Sequence, residues 1–96
     1  MKWIAVATPP FESIERFDAV MAQLGDEPDG LEARYVGTAG DGLRVVTLWE
    51  SKAHADRFFV DRLGPALARA LAPEPAGTPE VVGIDVERSY AREPVA

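Results

Sequence analysis

Residues 43–59 read LRVVTLWESKAHADRFF, and the change of rhythm inside them decides the fold. Leu43 to Glu50 is rich in β-branched and large apolar residues, the composition of a strand. Ser51 carries a hydroxyl suited to capping a helix. Beyond it apolar residues return at helical spacing, at Phe58, Phe59, Leu63, Leu67 and Leu71. Adjacent helical positions point about 100° apart, so one of Phe58 and Phe59 is expected to anchor the helix and the other to point away. Gly64-Pro65 interrupts the stripe, which predicts a kink or two consecutive helices.

Upstream of this stretch, Gly40-Asp41-Gly42 reads as a hairpin connection. Leu31 to Ala39 is the strand that feeds it. The facing of that strand is ambiguous, because Glu32, Arg34 and Thr38 share one parity. Glu27-Pro28-Asp29-Gly30 is a turn: proline presets φ, and glycine accepts a positive φ. Phe11 to Leu24 shows helical periodicity through Ile14, Phe17, Met21 and Leu24, with Gly25 placed to end it. Lys2 to Thr8 is a short apolar strand stopped by Pro9 and Pro10. Downstream, Pro73 to Pro79 reads as a rigid loop, Val81 to Tyr90 as the last strand, and residues 92–96 as a frayed tail. The order β-α-β-β-α-β predicts an α+β, ferredoxin-like domain over residues 1–91, a four-stranded antiparallel sheet with both helices on one face.

The composition narrows the function. Ninety-six residues make one domain with no room for a separate cofactor module. Acidic residues outnumber basic ones 16 to 10, for a net charge of −6, which argues against a nucleic-acid backbone as partner. The absence of cysteine removes disulfides, thiolate metal sites and thiol nucleophiles. No apolar run approaches the ~20 residues of a membrane span, and no leader pattern opens the chain, so a cytoplasmic protein without a membrane partner is expected. No metal-ligand spacing and no glycine-rich phosphate loop occurs, and no cofactor is expected.

Three strands are apolar on both parities, and a sheet with one wet face should alternate. Ile4, Val6, Val46, Leu48, Val82, Ile84 and Val86 are assigned to the helix-covered core. The other face, with Trp3, Val45, Trp49 and Val81, is then too apolar for water and is expected to be covered by a second copy in a homodimer.

With this order, the strand ending Leu48-Trp49-Glu50-Ser51 and the following Phe58-Phe59 helix, the chain resembles the dimeric α/β-barrel superfamily, and within it the antibiotic-biosynthesis-monooxygenase-like domains. The resemblance spans Lys2 to Tyr90. It implies a dimeric barrel with pockets between sheet and helices or at the barrel mouth. It also implies cofactor-free oxidation of polyketide quinols, haem degradation, or no activity. The catalytic branches use an asparagine, and this chain contains none. Haem degradation is therefore not expected.

Candidate site residues follow from residue type. His54, the sole histidine, could take a proton from a phenol. Asp85 interrupts an apolar strand and could act as a general base, with Arg34 or Arg44 as its partner. Trp49 and Trp3 could wall a pocket for a small aromatic ligand, with Tyr35 at its rim and Arg44 beside it. Two readings of function result. One is a small monooxygenase-like or cyclase-like enzyme acting on an aromatic or polyketide-type molecule. The other is a non-catalytic dimeric domain that binds a small ligand or another protein.

Overall fold

The computed structural model describes residues 1–11, 13–40, 42–71, 79–90 and 92. The elements are β1 (Trp3–Thr8), α1 (Ile14–Leu24), β2 (Leu31–Ala39), β3 (Gly42–Trp49), α2 (Lys52–Phe58), α3 (Gly64–Leu71) and β4 (Glu80–Asp85), with a π-helical turn over Phe59–Leu63 between α2 and α3. The four strands form one antiparallel sheet in the order β2-β3-β1-β4, the ferredoxin-like arrangement. Of the two segments expected as rigid loop and frayed tail, only Pro79 and Arg92 fall within the described residues.

Local chemistry explains the boundaries. α1 starts at Ile14 rather than Phe11 because Ser13 caps it, its hydroxyl accepting from the Arg16 amide at 3.2 Å. It ends at Gly25, whose φ of 73° suits a residue without a Cβ. Ser51 caps α2 in the same way, accepting from the His54 amide at 3.3 Å. β4 stops at Asp85, short of the expected Tyr90: its ladder with β1 ends at the Trp3–Asp85 pair, and beyond it the Val86 amide donates to the Lys2 carbonyl at 3.0 Å.

The interruption at Gly64-Pro65 takes the form of a π-helical turn. Pro65 has no amide hydrogen to give and its ring crowds the carbonyl four residues back; a widened turn relieves both problems. The turn also changes which side chains face inward. Phe58 is 8% exposed, Phe59 is half-buried, and their rings lie 5.5 Å apart over the same apolar interior. The expectation that only one of the two would point inward fails because the helix is not a regular α-helix there.

The two faces of the sheet are the reverse of the expectation. Trp49 and Ala5 are fully buried beneath the helices, packed with Ala55 and Phe58, and Trp3 packs against this cluster. Ile4, Val6, Val46, Leu48, Val82 and Ile84, expected in the core, share the helix-free face; Val82 is 65% exposed and Ile84 45%. The physical reason is volume. Two indoles and two phenyl rings need depth, and the alanines of β1 leave it on the helix side. β-branched residues suit either face of a sheet, so their presence did not mark the core.

Candidate active site beneath the helices

β2 carries the irregularity that builds the site. Its register against β3 shifts between Leu31 and Ala33. One extra residue there reverses the parity of all that follows. Arg34 thereby pairs with Thr47, and Val36 with Val45, on the helix-covered face. The ambiguity in the facing of this strand is the bulge itself.

A cavity of about 60 Å³ lies between this face and the helices. Phe17, Val20 and Met21 of α1, Phe58 at the end of α2, Phe59 and Leu63 of the π-helical turn, and Leu67 of α3 form its roof and sides. Ala7, Val45, Thr47 and Arg34 form its floor, and Pro9, Pro10, Phe11 and Pro79 close one end. An engineered cavity of 150 Å³ in another protein holds benzene, so a planar ligand here must displace some of the lining. The π-helical turn supplies Phe59 and Leu63 to that lining, and π-helical turns recur at functional sites.

Two polar side chains border this apolar space. Thr47 is 7% exposed, and its hydroxyl accepts from the Trp49 indole nitrogen at 2.8 Å and donates toward the Ala5 carbonyl at 3.4 Å. One lone pair on Oγ1 remains to accept from a ligand. Arg34 is held by Glu27 through two parallel hydrogen bonds of 3.1 and 2.7 Å.

The sequence-predicted site residues divide among four places. Trp49 stands one layer behind the cavity wall, its ring 5.2 Å from Phe58 and 6.5 Å from Phe59. Trp3 lies nearby in the same core, with Lys52 Nζ 5.6 Å from its ring centroid. His54 faces a different, polar pocket of about 310 Å³ together with Glu27, Asp29, Arg57, Asp61 and Arg62, on the far side of Phe58. There its Nδ1 is 2.7 Å from Ser51 Oγ and its Nε2 is 3.7 Å from Glu50. Asp85 is exposed at the end of the edge strand β4. Tyr35 and Arg44, expected beside Trp49, project from the opposite face: Tyr35 pairs with Val46 and is 70% exposed, and Arg44 pairs with Gly37 and reaches the Leu43 carbonyl at 2.8 Å. The bulge in β2 accounts for Tyr35; Arg44 lies an odd number of residues from Trp49 on the same strand and therefore faces the other way.

Thr47 was not expected at the site, and Arg34 was expected only as a partner for Asp85, whereas it pairs with Glu27. Thr47 had a signal: it lies two residues before Trp49 on one face of a strand, and a buried indole N–H needs an acceptor. Arg34 had none, because its facing depends on the bulge.

Solved structures share this fold across nearly the whole chain. A protein of unknown function from Nitrosomonas europaea, NE2512, superposes with a TM-score of 0.63 at 13% identity, covering 96% of this chain and 94% of that one. The ActVA-Orf6 monooxygenase of Streptomyces coelicolor, solved with nanaomycin D, gives 0.57 at 19% identity, covering 96% and 92%. SnoaB, a cofactor-independent oxygenase from Streptomyces nogalater, gives 0.56 at 16% identity, covering 92% and 93%. The fold is shared as well by a Bacillus cereus protein assigned as an antibiotic-biosynthesis monooxygenase, with a TM-score of 0.52 at 16% identity, covering 97% of this chain and 98% of that one. No protein-family model matches the sequence, and no curated protein matches it. Among the described residues, no helix is long and apolar enough to cross a membrane.

Proposed function

We infer that the cavity beneath the helices receives a small aromatic, polyketide-type molecule, and that the protein is a cofactor-independent, monooxygenase-like enzyme. The observation that carries the reading is the cavity itself: aromatic and aliphatic walls with one buried hydroxyl acceptor, the composition of a small-molecule site. The oxygenase and monooxygenase that share the fold support it.

The chemistry needs little from the protein. A hydroxyarene with a free para carbon is itself the reductant. It gives electrons to O₂, one oxygen atom bonds to the para carbon, and the other leaves as water with two hydrogens from the substrate, yielding the quinone. The protein's part is to desolvate the ring, hold its hydroxyl and shield the reacting carbon. Thr47 Oγ1 receives the hydroxyl, Phe58 and Phe59 flank the ring, and the Trp49 indole fixes Thr47 in the accepting orientation.

The helix-free face, with Ile4, Val6, Val46, Leu48, Val82 and Ile84, supports a homodimer packed sheet on sheet. An apolar patch of this kind marks an interface more often than open surface. A two-fold partner presents the same patch in return.

One observation favours a second reading, a ligand-binding domain without turnover: among the described lining residues there is neither a histidine nor a carboxylate to take a proton. Oxygen uptake separates the two. An enzyme consumes O₂ in the presence of 1-naphthol or anthrone with no added cofactor. A binding domain shifts its melting temperature with the same compounds and consumes none.

A further inference from the structure

We propose that Arg34 sets the chemical class of the ligand: a planar apolar body bearing an acidic oxygen, a carboxylate or an ionised phenol, which takes the guanidinium over from Glu27. This rests on the cavity being the ligand site.

The argument starts from an imbalance. Among the described lining residues Arg34 is the one that carries a charge; its stem borders the apolar cavity and its guanidinium turns to Glu27 at the cavity's edge. Its side chain is 19% exposed, whereas that of its partner Glu27 is 67% exposed. A desolvated guanidinium needs an anion, and its planar fork selects a two-oxygen or strongly polar partner. Glu27 meets that need from the α1–β2 connection, and it loses little by returning to water. An exposed carboxylate binds an arginine only weakly in net terms, because water competes for it. A ligand whose body fills the cavity and whose anion reaches the edge where Glu27 sits meets Arg34 partly desolvated, so it wins the exchange. The cavity floor then contributes two contacts of different kinds, an acceptor at Thr47 and a cationic fork at Arg34, from directly paired residues on adjacent strands. The chain carries a net charge of −6, so an anionic ligand gains nothing from the surface at large. Its selection depends on this one guanidinium.

The test uses 2-naphthoate and its neutral isostere 2-naphthamide, followed by NMR titration of the whole chain. The expected result is cavity shifts at Thr47 and Phe58 for both probes. Naphthoate should bind at least tenfold more tightly than naphthamide. Arg34→Gln should abolish that preference, weakening naphthoate at least tenfold more than naphthamide. Arg34→Lys should restore part of it. Glu27→Gln should strengthen naphthoate binding about twofold to fivefold, because the competing carboxylate is gone. A purely structural role for the Arg34–Glu27 pair would weaken both probes together. Equal affinities in the unaltered protein, equal losses in Arg34→Gln, or no cavity shifts with either probe would each overturn the proposal. Should Arg34→Gln fail to fold, the Glu27→Gln titration still decides: naphthoate affinity that does not rise counts against it. The enzymatic reading stands or falls separately. Naphthoate preference without oxygen uptake keeps Arg34's role and removes the enzyme. Undiminished oxidation of phenolic substrates by Arg34→Gln does the reverse.

Discussion

The indole of Trp3 occupies the space directly over Gly83. A Cβ on Gly83 would stand 1.8 Å from the ring, closer than any atom can approach. Gly83 pairs with Ala5 in the sheet, so β1 and β4 together present two small residues on the helix side where the indoles need depth. This is why the face expected to meet a partner is instead the one beneath the helices.

Gly83→Val should therefore displace Trp3. Forcing a side chain into space the indole already fills costs about 1–3 kcal/mol, more than the gain in strand propensity. Urea melts should show the loss, and tryptophan emission should move to the red as the indole meets water. An unshifted spectrum with full stability would contradict the placement of Trp3.

Thr47→Val keeps the shape of the side chain and removes the acceptor of the Trp49 indole. A buried N–H left without a partner costs about 1–3 kcal/mol. The same change removes the ligand acceptor proposed for the site. Stability and phenol affinity should fall together, while the affinity for an aromatic hydrocarbon of the same shape stays the same. Denaturant melts and calorimetric titration measure the two effects.

Val45→Ile adds one methylene group to the cavity floor. Filling empty apolar space contributes about 0.8 kcal/mol per methylene where it fits. The variant should melt no lower than the parent and bind aromatic ligands at least several-fold more weakly. Weaker binding with a large loss of stability would mean that the space is needed for folding rather than for a ligand.

Val46→Glu places a charge in the middle of the helix-free face, opposite Tyr35 on β2 and Val6 on β1. In a sheet-on-sheet dimer an unpaired charge there should raise the dissociation constant by roughly two orders of magnitude or more. Sedimentation should show twice the chain mass of 10.4 kDa for the parent and the single mass for the variant. A monomeric parent at micromolar concentration would remove the dimer.

The topology was legible because each part of it has a local cause. Ser51 caps, Gly25 ends, Gly64-Pro65 interrupts, and the β-α-β-β-α-β order follows from periodicity alone. The faces were not legible. Both parities of β1 and β3 are apolar, and choosing between them requires the depth that alanines at positions 5 and 7 give to Trp49 and Phe58. Arg34 was hidden for a related reason, since a single bulge in β2 determines its facing. The aromatic character of the site was visible in Trp49 and Phe58. Its polar contacts depend on register, which one strand does not encode without its neighbour.

The most direct test of the central reading is oxygen uptake by the purified chain with anthrone or 1-naphthol in metal-depleted buffer and no added cofactor. The account predicts uptake above autoxidation, one O₂ per quinone formed. Val45→Ile should reduce it severalfold. His54→Ala, which alters only the neighbouring polar pocket, should leave it within about twofold of the parent. Uptake no greater than buffer alone with both compounds, or uptake indifferent to filling the cavity, would contradict it.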